Sequence, residues 1–437
     1  METIQHTGLL DKITIVRFTH AFDTGGGVEH YLRDLNKTLL FRNNMTIIQI
    51  YFSTELLKPK ETVEEIGQGR IIRIAIPHAL HPKQEWNGTA PQTNPLVRLS
   101  RHFIRDHVIY NPLLQRFFLP VRKRYSIKDL GIEAADAQRL FKDLFSRYSI
   151  DILSFHCLGG TDTAKIIDMV NDRNIPFFYL NHYSNEKFSD LCIREQLMSA
   201  SGVAGVSERG VPRYLQKKFV SLYDGINTDF YSKEKVSSVK NIEVPIVLLP
   251  ARICAGKGHE DLIEAAAMLK KEGIPVHLVF AGRDDSSEVN SHLQTIISKH
   301  HLKNQITFAG ECSSHELREW YARSAVVALP SRREGFARTL LEAQSMQTPV
   351  VAYDVGGVSQ CVEHGGGGYL CRYRDIDDIK TVLKKLLRNE SLRKGMGEAG
   401  RKYILNNFTL NHLAHRHEQF YLNILKNIRF DAKCGTV

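Results

Sequence analysis

No apolar run in this chain reaches the length of a bilayer span. The longest, at residues 246–250 and 276–281, are strand-sized, whereas a transmembrane helix needs roughly 18 residues or more. The first twenty residues hold no basic stretch followed by an apolar block, so a secretory leader is not expected. Cysteine is sparse: seven residues, at positions 157, 192, 254, 312, 361, 371 and 434, with no CxxC pair. An odd, dispersed set argues against a disulfide framework and a zinc site, and fits a reducing compartment. The expected location is cytoplasmic, with most of the thiols buried. Low-complexity tracts and repeats of solenoid period are missing. So is any finger, RRM signature or other nucleic-acid module, which removes nucleic acid from the expected partners despite a net charge of +10.

What is present is a long alternation of strand-like and helix-like segments. Strands are expected at 12–18, 45–52, 151–156, 175–180, 202–206 and 219–223, then at 246–249, 276–281, 306–309, 325–329, 350–353 and 369–371. Helical patterns lie between them, at 28–40, 162–172, 208–217, 259–271, 315–324, 338–346 and 376–388 among others. Alternation of this kind builds parallel sheets covered by helices on both faces. With 437 residues, two sheets are more natural than one of a dozen strands. The expected fold class is therefore α/β, with two doubly wound Rossmann-like domains facing across a cleft. The join is expected in the polar stretch 224–245, giving domains at 1–225 and 226–408. A last helix, 409–437, comes after the second sheet is complete. Ligands of such sheets bind beyond the carboxyl ends of the strands.

The charge is uneven. Residues 97–128 carry eight basic side chains, Arg98, Arg101, Arg105, Arg116, Arg122, Lys123, Arg124 and Lys128, and one acid, Asp106, interleaved with apolar residues. Two readings are open. The segment is an ordinary helix with its apolar side in the core, or it lies on an anionic membrane surface. The trio His412, His415 and His417 on the last helix has no acidic or cysteine partner at ligand spacing. It reads as a solvated helix face rather than a metal cluster.

Four strand ends and one longer motif carry the chemistry. In 330–343, Glu334 and Glu342 stand eight positions apart. A Gly-Phe turn follows the first, and the second lies on a helix. A strand, a glycine turn and a helix start make an anion site, and flanking carboxylates suit hydroxyl-rich groups. Arg252 and Lys257 flank a glycine-bearing turn after strand 246–249, where two cations can neutralise a diphosphate. The spacing of a Walker A loop is absent, as is GxGxxG after the first strand, where Gly25, Gly26 and Gly27 open a helix. His156 ends one strand and His182 follows the next; both belong at a cleft edge. Gly282 opens the turn that continues to Asp285, and Gly310 opens another.

These segments resemble the retaining glycosyltransferases of the GT-B fold that carry an E-x7-E motif, often called glycosyltransferase group 1. The matching stretches are Arg252 with Lys257-Gly258, Val279-Phe280-Ala281-Gly282, the run 330–343, Pro349-Val350-Val351-Ala352 continuing to Gly356-Gly357-Val358, and Gly368-Tyr369-Leu370. Gly26-Gly27-Val28-Glu29, His156, Val206-Ser207 and Asp224-Gly225-Ile226-Asn227 match more loosely. The resemblance implies a nucleoside diphosphate sugar as donor. Glu334 would bond the sugar hydroxyls and Glu342 the ribose. Arg252 and Lys257 would bind the diphosphate and stabilise it as it leaves. Gly26, Gly27, Gly282, Gly335, Phe336, Ala337, Thr339 and Leu340 would line the donor site, with backbone N–H groups from 336–340. His156 would face donor sugar and acceptor, and the last helix would return to the first domain. No cofactor and no metal are implied, since the two cations supply the charge a metal ion otherwise would.

Two departures stand out. The family often has glycine where this chain has Ala251 and Ala337, and 77–129 has no counterpart. That insertion is the expected place for acceptor or membrane specificity, with Arg98, Arg101, Arg105, Arg122, Lys123, Arg124 and His182 as candidates. The acceptor implied is a hydroxyl of a lipid-linked or growing glycan. The competing readings are a soluble-acceptor transferase, a sugar epimerase of similar architecture, and a non-catalytic scaffold.

Overall fold

A computed structural model describes residues 10–21, 27–53, 60–77, 134–156, 161–183, 191–236 and 244–434. The basic segment, including Arg98, Arg101, Arg105, Arg122, Lys123 and Arg124, lies outside the described residues, as does Gly26. The chain forms two units. One comprises Met1–Leu222 with Ala414–Val437, the other Tyr223–Leu413. The chain leaves the first unit just before the polar stretch that marks the join in sequence, and re-enters it within the last helix.

The first unit holds an eight-stranded sheet. Its strands are β1 (Thr14–Ala21), β2 (Thr46–Ser53), β3 (Lys60–Ile66), β4 (Gly69–Pro77), β5 (Ile152–Phe155), β6 (Phe177–Asn181), β7 (Gly202–Gly205) and β8 (Phe219–Ser221), in spatial order β3-β4-β2-β1-β5-β6-β7-β8. All neighbours are parallel except β3, which runs antiparallel to β4. The sequence reading contains neither β3 nor β4. Its strict parallel pattern fails here because the strand KETVEEI is almost wholly exposed and has no apolar face to show. Helices α1 (Gly27–Arg42), α2 (Ala134–Arg147), α3 (Thr161–Asn171) and α4 (Leu191–Ser199) complete the layer structure, with α12 (Leu410–Cys434) at the end of the chain. The helix expected at 208–217 reduces to a single 3₁₀ turn, Arg213–Leu215. One face of the sheet packs apolar side chains from Val16, Phe18, Ile48 and Ile50 against Phe141 and Leu144 of α2. The other face is partly polar. Arg17 of β1 and Gln49 of β2 are fully buried there, and Asn36 of α1 donates to the Gln49 side-chain oxygen at 3.1 Å.

The second unit holds six parallel strands: β9 (Ile246–Leu249), β10 (His277–Ala281), β11 (Ile306–Gly310), β12 (Val326–Leu329), β13 (Val350–Tyr353) and β14 (Gly368–Cys371). Their order is β11-β10-β9-β12-β13-β14. The chain thus builds outward from β9 in one direction, then returns and builds outward in the other, as in a doubly wound sheet. Every residue of β9, β12 and β13 is buried, which explains their uninterrupted apolar sequences. The covering helices are α5 (His259–Lys271), α6 (Ser287–Lys299), α7 (Ser314–Arg323), α8 (Arg338–Ser345), α9 (Val358–Cys361), α10 (Ile376–Arg388) and α11 (Glu390–Asn407). Helix α7 starts with a capping box, Ser313 with Glu316. Asp375 and Asn389 cap α10 and α11.

Candidate functional site

The order of the second sheet puts its switch point between β9 and β12. The loops after these strands diverge to opposite faces and leave a crevice beyond the carboxyl ends. Arg252 and Lys257 sit on the first loop, Glu334 on the second. Backbone contacts lock these loops together. The Arg332 N–H donates to the Gly256 carbonyl at 2.8 Å, and the Gly357 N–H, from the loop after β13, donates to the Gly335 carbonyl at 3.1 Å. Two glycines make the approach feasible. A Cβ on Gly258 would stand 2.1 Å from the Pro330 carbonyl oxygen, and one on Gly356 would stand 1.7 Å from that of Glu334. Both residues have positive φ, +83° and +51°, a region costly for other residues.

Across this crevice Lys257 Nζ donates to Glu334 Oε1 at 2.8 Å, with both side chains largely buried. Arg252 is more exposed and meets a different acid: its Nη1 donates to Asp285 Oδ2 at 2.6 Å, while Arg283 Nε donates to Oδ1 of the same carboxylate at 2.6 Å. The two guanidinium groups hold Asp285 below the usual carboxylate range, Arg283 more strongly. Gly282 follows the neighbouring strand β10 and lies against the Ala251 carbonyl. The structure therefore brings Arg252, Lys257, Gly282 and Glu334 to one edge of one sheet, with an acid neutralising each of the two cations.

The start of α8 is less open than the resemblance implies. The Arg338 N–H donates to the Phe336 carbonyl, and that of Leu340 to the Ala337 carbonyl. The Ala337 N–H meets the buried Cys361 thiol. Among the described residues, the Phe336 and Thr339 N–H groups remain as donors. Ala337 sits at φ −92°, ψ 78°, so alanine replaces the family's glycine without strain. The Phe336 ring stacks on Tyr223 at 5.9 Å between centroids and packs against Phe408.

Glu342 projects from α8 into the interior and is 6% exposed. The Tyr321 hydroxyl donates to its Oε2 at 2.9 Å and Arg338 Nε to its Oε1 at 3.3 Å. Burial pushes the carboxyl up, and Arg338, Tyr321 and Tyr231 oppose the shift. Tyr231 is a third donor to this carboxylate, which leaves about one of its roughly four lone-pair sites for a ligand hydroxyl. Arg338 also spans to Asp224 Oδ1 at 3.2 Å. Tyr231 and Tyr321 escaped the sequence reading, which quoted Asp224 and Arg338 within motifs but gave them no role. The one signal there is Arg338 itself, a cation four residues before Glu342 on the same helix face.

In the first unit, Gly27 opens α1. His156 is 6% exposed and both ring nitrogens have protein partners: Ser154 Oγ lies 3.2 Å from Nε2, and His182 Nε2 lies 2.9 Å from Nδ1. The two imidazoles stack at 5.2 Å with 17° between planes. His182 is the more open of the pair, half-buried with its Nδ1 uncommitted among the described residues. Burial, then Arg17, brings His182 down to about 3. Burial, then His182, Arg17 and His417, lowers His156 as well.

The last helix corrects a sequence expectation. His417 does not lie on a solvated face; it is fully buried. It bonds the Tyr31 hydroxyl through Nε2 at 2.5 Å and the Tyr421 hydroxyl through Nδ1 at 2.7 Å. The helix turns this face, with Leu413, Ala414, Phe420, Tyr421 and Ile424, into the interior. His412 instead meets Thr409 Oγ1 at 2.8 Å, and His415 is half-buried. Arg42 and Asn43 bind Glu418, each donating to Oε1 at 2.9 Å.

The family model described as Glycosyl transferases group 1 matches residues 231–403. The N-acetyl-alpha-D-glucosaminyl L-malate synthase of Bacillus anthracis is 26% identical over 216 residues, which are 48% of this chain and 55% of that protein. The chain thus spans about half the length of this relative. Among solved structures, the sucrose-phosphate synthase of Thermosynechococcus elongatus has a TM-score of 0.67 at 18% identity, covering 95% of this chain and 100% of the other. HepE of Anabaena, in complex with UDP and glucose, has a TM-score of 0.63 at 18% identity, over 93% and 99%. These likenesses show the GT-B fold. Among the described residues no helix is long and apolar enough to cross a membrane. The part of this chain that resembles the glycosyl transferases group 1 at the level of the family model, residues 231–403, lies within the second unit.

Proposed function

We propose that this protein is a retaining, metal-independent glycosyltransferase. It moves a sugar from a nucleoside diphosphate sugar to a hydroxyl of a lipid-linked or growing glycan. The observation that carries this reading is the Lys257–Glu334 pair, 2.8 Å across the switch point of the second sheet. A cation that can meet a phosphate and a carboxylate that can accept sugar hydroxyls stand there side by side. The match of residues 231–403 to the group 1 model and the complex of HepE with UDP and glucose support a nucleotide-sugar donor.

The diphosphate lies over the loop carrying Arg252 and Lys257. Its oxygens compete with Glu334 for Lys257, freeing Glu334 for sugar hydroxyls. Phe336 and Thr339 supply backbone N–H groups. Glu342 takes the ribose. As the bond between the anomeric carbon and the phosphate oxygen breaks, Lys257 and Arg252 meet the developing charge. The acceptor oxygen bonds the anomeric carbon on the same face and passes its proton to the departing phosphate. Transfer on the same face needs no carboxylate as a covalent nucleophile. On the first unit, His182 offers its open nitrogen to a ligand hydroxyl, with His156 behind it. The protein works in the cytoplasm, with the basic segment 97–128 touching an anionic membrane surface.

The test is nucleotide binding. UDP, GDP and ADP are titrated without metal and then with magnesium, following thermal stabilisation. One nucleoside diphosphate should stabilise the protein without metal. Absence of any shift, together with no sugar release from a nucleotide sugar, would put the scaffold reading first. Isomerised nucleotide sugar with no transfer would point to the epimerase.

A further inference from the structure

Arg17 is fully buried in the middle of β1 and forms no ion pair among the described residues. Its Nη2 donates to the Tyr421 hydroxyl oxygen at 2.9 Å, and its Nε and Nη1 have no partner. A guanidinium only donates, and this sets the direction of everything attached to it. The Tyr421 oxygen must accept from Arg17, so its own proton needs another acceptor. The remaining partner is His417 Nδ1, at 2.7 Å. His417 is thereby the tautomer with hydrogen on Nε2, and that N–H donates to the Tyr31 oxygen. The Tyr31 ring in turn meets the His182 imidazole edge-on, with centroids 4.8 Å apart and planes at 75°. Four elements, β1, α12, α1 and the end of β6, are thus joined by one oriented chain.

We infer that His417, on the C-terminal helix, is a positioning residue for His182 and acts on it through Tyr31. The inference rests on the glycosyl-transfer reading only in giving His182 a ligand to meet. The chain fixes where the Tyr31 ring stands, and that ring limits the rotation of the His182 imidazole about its bond to the backbone. The neutral form of His417 is the one that fits. A proton on Nδ1 would face the Tyr421 hydroxyl proton and lie close to Arg17.

The experiment compares the full-length wild type with His417→Gln, Tyr31→Phe and the double variant. Tyr31→Phe keeps the ring and removes only the hydroxyl, so it decides the matter should His417→Gln fail to fold. The first readout is the ring resonances of His182, assigned by their loss in His182→Asn. Both single variants should move them, and leave those of His277 in the second unit in place. The second readout is sugar release from a nucleotide-sugar probe. Here kcat should fall about tenfold or more, with nucleoside diphosphate affinity unchanged, and the double variant should be no worse than either single one. Unmoved His182 resonances, or losses that multiply in the double variant, would overturn the inference. A fall in thermal stability alone, with kcat intact, would reduce His417 to a structural residue. If the wild type neither binds nucleotide nor releases sugar, the functional reading fails, and the resonances still decide the positioning.

Discussion

Lys257 and Glu334 are 77 positions apart in sequence and 2.8 Å apart in space. The contact exists because the two strands bearing their loops are neighbours at the centre of the sheet. If Lys257 stabilises a departing diphosphate, Lys257→Ala should cut turnover on the order of 10²-fold or more. The variant also strands Glu334 without its partner, so stability must be measured alongside. Lys257→Ala combined with Glu334→Gln removes that stranded charge. Turnover near normal in the folded single variant would take Lys257 out of the mechanism.

Glu342 tests the other end of the donor. Glu342→Ala should weaken nucleoside diphosphate binding by roughly 1–3 kcal/mol, the scale of hydrogen bonds to a buried charged group. Tyr321→Phe removes a donor 2.9 Å from the same carboxylate and should lower stability by about 1–3 kcal/mol. Calorimetric titration and denaturant unfolding separate the two effects. Lost stability in both variants with affinity untouched in both would make Glu342 a purely internal residue.

The contrast between Glu334 and Glu342 shows what a sequence exposes. Their spacing, the strand before them and the helix between them are local features, and the doubly wound order follows from apolar runs such as VVAL and VVAY. What Glu342 bonds is not local, because Tyr321 and Tyr231 reach it from other parts of the second unit. The exposed strand β3 has no periodicity to read. His417 was misplaced for a related reason: a histidine on an amphipathic helix reveals its face only when the opposing surface is known, and that surface is Tyr31, 386 positions away. Arg17 was equally hidden, since a charged residue in a strand ordinarily means solvent.

The loop after β9 offers an internal control. Gly256 and Gly258 both have positive φ, +87° and +83°, but a Cβ on Gly256 would meet nothing within 4 Å, whereas one on Gly258 would press on the Pro330 carbonyl. Gly256→Ala should carry only the conformational cost, about 1–2 kcal/mol. Gly258→Ala should cost more, and should also weaken nucleotide binding, because the loop bearing Lys257 must move off the loop bearing Glu334. Equal losses in stability and affinity for the two variants would mean that the close approach of these loops does not shape the site.

Acid should find the first unit through its buried histidines. His156, His182 and His417 are each pushed below the ordinary histidine value, first by burial. Arg17, Arg416 and the neighbouring imidazoles act in the same direction, while Tyr31 from α1 and Tyr421 from α12 face His417. The folded chain keeps these rings neutral under conditions in which the unfolded chain protonates them near pH ~6.5. The unfolded state then binds more protons, so stability falls as pH drops below that value, and for His182 it goes on falling to about 3. One such proton corresponds to a slope of up to ~1.4 kcal/mol per pH unit. Replacing His182 by Asn should flatten the acid limb by up to that slope between roughly pH 6 and pH 4. Denaturant unfolding of both proteins at stepped pH measures it, and carboxylates common to both cancel in the difference. Parallel curves would show that His182 takes up its proton in the folded protein as readily as in the unfolded chain.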